Sequence, residues 1–274
     1  MKYSNHADYP PRANDRALSL LLTLWPSMPE SVKDDLVLVG GLAVHLLTRQ
    51  ERNPFGPPSV TLDVDLGIAL GASTGVYETV AQTLRGIGFR ALDGRLVRNM
   101  DELEIVVDFL VEGPTGAGRM VDDIRATAFP GIQRALETKE LHLIEGRDAY
   151  GVDQSIRIPV VGLGPLLVLK LNAFSSRRQP KDAFDFLTLA VIHHKRAGLG
   201  LAQERSVNPG FSVAIRCLEE FFLAADKDGP RRALAFRSGM QAPLLEEDRE
   251  TLEVMATVGQ FLFDDVNGMA SEEG

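Results

Sequence analysis

The spacing of apolar residues changes period near Gly162, and that change dictates a chain in two parts. Before it, short runs of aliphatic and β-branched residues recur between turn residues: 36-LVLVGG-41, 60-VTLDVDLGIAL-70, 103-LEIVVDFLVE-112 and 155-SIRIPVVG-162. Runs of this length suit strands better than globular helices. After it, apolar residues return at helical spacing over about 165–176, 180–196, 210–225, 229–238 and 244–263. The expected architecture is α+β. A domain over 1–162 holds a mixed sheet with flanking helices, an all-α domain follows over 163–274, and a cleft lies between them. Residues 1–13 read as a loose arm, and the acidic 264-DDVNGMASEEG-274 reads as a frayed tail.

Smaller features fill in the first domain. Asn14 is expected to cap a helix through Trp25, stopped by Pro26 and Pro29. Gly40 and Gly41 close a strand and open a helix, whereas 51-ERNPFGPPS-59, with three prolines, reads as a loop projecting from the body. Residues 74–87 read as an amphipathic helix ended by Gly88, and Asp93-Gly94 as a turn between β-rich segments.

Composition excludes several classes. Among 274 residues, 45% are hydrophobic and 24% charged, which is globular rather than disordered. Cys217 is the only cysteine, so no internal disulfide or Cys-rich zinc site can form, and a cytoplasmic location is expected. No apolar stretch reaches the roughly 18 residues of a membrane span, and the opening MKYSNHADYPPR lacks the apolar region of an export signal. The net charge of −9 repels nucleic acid on average, so any RNA contact must be local.

The chemistry centres on 61-TLDVDL-66. Side chains at i and i+2 of a strand share a face, so Asp63 and Asp65 lie side by side. Two neighbouring carboxylates repel unless a cation offsets them, and hard oxygen donors suit Mg²⁺ or Mn²⁺. Alone, the pattern better fits the exposed polar face of an edge strand with no metal. Gly40 and Gly41 add a second element, because a helix start without side chains exposes amides to phosphate. Asp108 adds a third, a charge flanked by Val106, Val107, Phe109 and Leu110. In the second domain, 167-LVLKLNAFSSRRQPKDAFDFLTLA-190 gathers Lys170, Arg177, Lys181, Asp182 and Asp185 on or between two helices, the two acids sharing a face. His193, His194, Lys195 and Arg196 read as a basic helix end that offsets the helix dipole. Trp25 and Cys217 read as packing residues, and His45 as a structural histidine.

The order 39-VGGLAVHLL-47, 61-TLDVDL-66, 107-VDF-109 resembles the minimal nucleotidyltransferases of the DNA polymerase β superfamily. The interval between Gly41 and Asp63 is wider than in the compact version, and the Pro-rich loop accounts for it. The string Lys-Leu-x-Ala, Arg, Lys-Asp-x-x-Asp from Lys170 to Asp185 resembles abortive-infection nucleotidyltransferase toxins of the AbiEii and MenT type. Together the resemblance covers roughly 36–190.

It implies a polymerase-β-type sheet and transfer of an NMP from an NTP to an acceptor hydroxyl with release of pyrophosphate. Asp63, Asp65 and Asp108 would hold Mg²⁺ or Mn²⁺. Gly40, Gly41 and Thr61 would contact the nucleotide, with Lys170, Arg177 and Lys181 on its phosphates, and Asp182 or Asp185 would position a lysine or the acceptor. It also implies a toxin–antitoxin setting, with tRNA modified at its 3′ end and a cognate antitoxin. Arg177, Arg178 and Lys181, joined by Lys195 and Arg196, are the positive charges expected to meet RNA. Two alternatives stand beside it: transfer to an aminoglycoside-like molecule or a protein, and a non-catalytic nucleotide-binding or partner-binding protein of the same fold.

Overall fold

The computed structural model describes residues 3–68, 74–100, 103–121, 124–239 and 246–272. The protein is mixed α/β, with a mixed sheet and a helical C-terminal region. It divides into two compact units, one of Pro11–Ala43 and Val60–Gly162, the other of Met1–Pro10, Val44–Ser59 and Leu163–Gly274.

In the first unit α1 (Ala13–Ser27) and α2 (Glu30–Lys33) lead into β1 (Leu36–Val39), which runs directly into α3 (Gly40–Thr48), a helix whose residues from Val44 on belong to the other unit. The rest comprises β2 (Asp63–Ile68), α4 (Thr74–Gly86), β3 (Arg90–Leu92), β4 (Arg95–Met100), β5 (Leu103–Val111), β6 (Gly118–Val121), β7 (Ile124–Ala128), α5 (Ile132–Glu137), β8 (Glu140–Arg147) and β9 (Asp153–Val160). The strand order is β3-β4-β5-β2-β1-β9-β8, and β7 branches from β5 and carries β6. The pairs β2–β5, β1–β9 and β5–β7 are parallel and the others antiparallel.

β1 shows why the sheet centres where it does. Its Leu-Val-Leu-Val run has no polar alternation, and all four side chains are at most 1% exposed. Such a strand is stable only when covered on both faces, and each buried side chain contributes about 1.5–3 kcal/mol. At the β8 edge Leu141 and Leu143 are exposed while Ile144 is fully buried. Ile144 is the one buried position of 140–147.

The helical unit contains α6 (Leu163–Arg177), α7 (Pro180–His193), α8 (Lys195–Gln203), α9 (Phe211–Phe221), α10 (Asp228–Ser238) and α11 (Glu246–Glu272). Helices α6 and α7 are buried nearly all round, from Gly164 to Phe174 and from Lys181 to Ala190, as expected for central helices. Phe222 packs edge-on against Phe174 and Phe186, with ring centroids 5.1 and 5.0 Å away.

Several local expectations are corrected. Asn14 does not cap α1: its Oδ1 accepts from the Thr61 amide at 2.9 Å, and Pro26 lies inside the last turn, the chain leaving the helix at Met28. The 51–59 loop does not project. Phe55 and Ser59 are 2% and 0% exposed, and Asn53 donates to Pro57 O and Thr188 Oγ1. The expected helix 180–196 breaks at His194, whose φ of 37° no helix accommodates. Lys195 and Arg196 therefore begin α8, where they oppose its dipole instead of offsetting that of α7. The frayed tail is helical through Glu272, with Val266 fully buried. Among the described residues no helix is long and apolar enough to cross a membrane.

Candidate functional site

Three carboxylates lie on one face of the sheet unit. The parallel register of β2 and β5 sets Asp65 opposite Asp108 and Asp63 opposite Val106. Strand alternation brings Asp63 to the same face as Asp65. Asp63 is 7% exposed, and Asp65 and Asp108 are half-buried. Ahead of Asp63, Thr61 is 3% exposed and its Oγ1 accepts from the Asp63 amide at 3.2 Å. Thr61, expected to contact nucleotide, thus braces the strand entry.

Gly40 closes the site from above β1, where Val39 pairs with Asp65. Its φ is +73°, and a β-carbon built there would lie 2.5 Å from Asp65 Cγ and 2.7 Å from Asp65 Cβ. Backbone therefore touches carboxylate where no other residue fits. Gly40→Ala is expected to displace Asp65 and to lower stability by about 1–3 kcal/mol, from the left-handed backbone alone. Urea denaturation measures this, and an unchanged midpoint would show that the turn relaxes freely.

Arg95 is the residue that the sequence reading missed. The antiparallel register of β4 and β5 pairs Leu96 with Val107, and one step further Arg95 faces Asp108. Its guanidinium forms a fork on Asp108, Nε donating to Oδ1 at 2.5 Å and Nη2 to Oδ2, while Nη2 stands 3.9 Å from Asp63 Oδ1. Burial works against the arginine charge. The hydrogen bonds and charge of Asp108, with Asp63 and Asp65 behind it, outweigh this and hold its pKa above the ordinary arginine value.

The donor chemistry, carboxylate oxygens without nearby sulfur or imidazole in the contacts just described, suits Mg²⁺ or Mn²⁺. The geometry differs from expectation in one respect. The strands are neighbours, yet among the described residues no three acidic, His or Cys side chains converge closely enough to share one ion. Arg95 holds both oxygens of Asp108. The residues fit the metal in kind, while in this arrangement both oxygens of Asp108 are taken by the guanidinium.

The helical unit holds the second cluster. Asp185, fully buried on α7, accepts from Lys170 Nζ at 2.8 Å, Lys181 Nζ at 2.5 Å and Ser59 Oγ at 2.6 Å. Both lysines are 5% exposed. Burial pushes the Asp185 pKa up, but the charges and hydrogen bonds of Lys170 and Lys181 prevail and hold it below the usual carboxylate value. Asp182, 1% exposed, takes both ends of Arg177, from Nε at 2.5 Å and Nη2 at 2.6 Å. Thus each acid orients basic side chains, and Ser59, which carried no signal in the sequence, completes the set.

The charges expected to meet RNA fare differently. Lys181 is buried and Arg177 is paired. Arg178 lies 3.3 Å from the Phe221 ring centroid, a cation–π contact. Lys195 and Arg196 are the exposed pair of this group.

No family model and no curated protein matches the sequence. The likeness to nucleotidyltransferases thus rests on the sequence motifs alone.

Proposed function

We propose that the protein is a divalent-metal-dependent nucleotidyltransferase with a polymerase-β-type catalytic sheet. The observation that carries this reading is the β2–β5 register, with Asp65 beside Asp108, Asp63 on the same face and Gly40 against Asp65. Mg²⁺ or Mn²⁺ held by Asp63, Asp65 and Asp108 would offset phosphate charge and polarise the α-phosphate. The amides at the start of α3, Gly40 and Gly41, are suited to the triphosphate, because the first N–H groups of a helix lack partners within it. The acceptor hydroxyl attacks the α-phosphorus in line, its proton passing to Asp108. The new O–P bond forms as the bond to the β-phosphate oxygen breaks and pyrophosphate leaves. Most of the rate gain would come from positioning and charge neutralisation.

The Lys170–Asp185 string supports the toxin branch of the family. On that basis the proposed acceptor is tRNA at its 3′ end, and the proposed partner is an antitoxin. Incubation with each α-labelled NTP, Mg²⁺ or Mn²⁺, and tRNA, total protein or an aminoglycoside in separate arms tests both statements. Label is expected in the RNA fraction and should fall steeply with added salt, since phosphate contacts release counterions. Label in another arm alone would replace tRNA as acceptor. Label in no arm would overturn the enzymatic reading.

A second reading, a non-catalytic nucleotide-binding protein of the same fold, is favoured by the Arg95 fork on Asp108. It expects NTPs to raise the melting temperature without any transfer of label.

A further inference from the structure

We propose that Arg95 is the built-in counter-ion of the carboxylate face, and that a divalent cation gains Asp108 only by displacing the guanidinium. The inference rests on the metal-dependent reading above and adds its regulation. Three observations carry it. The first is the fork itself, which takes up both oxygens of Asp108 and brings Nη2 within 3.9 Å of Asp63. A guanidinium matches a carboxylate in this two-bond geometry better than any other side chain.

The second is that Arg95 cannot leave by losing its proton, because arginine stays charged at any pH that a folded protein tolerates. Release must therefore be a movement. The third is where movement is possible. The backbone of Arg95 follows a tight turn in which Asp93 and Gly94 have φ of 52° and 78°, and Gly94 O accepts from the Arg125 amide at 2.6 Å. The main chain is pinned, whereas the Arg95 side chain is 34% exposed and has solvent to rotate into. A rotamer change on a fixed strand opens and closes Asp108.

A cation that binds only the open arrangement has its apparent affinity reduced by the fraction of molecules that are open. Fork hydrogen bonds between charged groups are strong enough to make that fraction small, on the order of one in ten or less. Free metal would then bind weakly. A nucleotide arriving with its own cation, and with phosphates able to receive the released guanidinium, would bind more readily than either alone.

Mn²⁺ binding to the full-length protein, followed by the loss of the free-ion electron paramagnetic resonance signal, tests this without any turnover. Arg95→Gln and Arg95→Ala are expected to bind Mn²⁺ about tenfold tighter or more than the wild type. Arg95→Lys, which keeps the charge but not the fork, should fall between. In EDTA the neutral variants should melt lower than wild type, and Mn²⁺ should raise their melting temperature by more. If Arg95→Ala does not fold, Arg95→Lys against wild type decides the point. Affinity unchanged or weakened in the variants, with wild type binding Mn²⁺, would overturn the counter-ion role and leave the nucleotidyltransferase reading standing. Failure of wild type and variants alike to bind millimolar Mn²⁺ would also overturn the counter-ion role, and absence of label transfer in every arm above would separately remove the nucleotidyltransferase reading.

Discussion

Asp65→Asn is expected to lower nucleotidyl transfer by about three orders of magnitude, the scale on which losing one well-placed electrostatic group acts. The fold should survive. Asp65 shares its face with Asp63 and Asp108, and Arg95 is the cation found among these three acids. Removing one negative charge relieves repulsion, so the melting temperature in EDTA should hold or rise slightly. Asparagine also keeps the volume that rests against Gly40. The measurement is label transfer beside a thermal melt of the same preparation. Transfer at the wild-type rate from a folded Asp65→Asn protein would sink the assignment of this face as the catalytic one. Asp63→Asn should behave alike, whereas a change at Lys195 or Arg196 should alter salt dependence and leave nucleotide binding untouched.

The largest expected effect on stability lies in the other unit. Asp185→Ala leaves Lys170 and Lys181, each 5% exposed, without their shared carboxylate. Breaking a buried ion pair by deleting one partner costs about 3–5 kcal/mol, because a charge stays buried without compensation. Here two ammonium groups are stranded, and a domain holds only about 5–15 kcal/mol in total. A large drop in urea midpoint, or outright unfolding, is the expected result. Lys170→Met should cost less, since Asp185 keeps Lys181 and Ser59. Near-equal midpoints for Asp185→Ala and Lys170→Met would show that the ammonium groups reach solvent and that the cluster is not a stability centre.

The same cluster sets a direction for acid. The Asp185 pKa is held below its ordinary value in the folded protein. Its stabilisation is therefore complete above the unfolded carboxylate pKa of about 3.9, and is lost as pH falls through the lower folded value. Wild type should thus lose more stability in that acid range than Asp185→Asn, provided the variant folds.

Some of this protein is legible in local pattern alone. The alternation around Asp63 and Asp65 fixes their common face whatever the strand pairs with, because side-chain direction along a strand has period two. The unbroken Leu36–Val39 run marks a strand covered on both faces, and Gly40 marks a turn that a β-carbon would obstruct. The helical spacing after Gly162 likewise follows from the chain itself. Pairing between distant segments does not. That β5 lies beside β2, that Arg95 falls opposite Asp108, and that Ser59 reaches Asp185 across 126 residues of chain are outcomes of tertiary pairing. Burial was equally hidden: nothing in the string from Lys170 to Asp185 marks the two lysines as enclosed until α6 and α7 are packed. Local sequence specifies which way a side chain points, but only the assembled fold specifies what it points at and whether water can still reach it. For charged groups, that second question decides the energy.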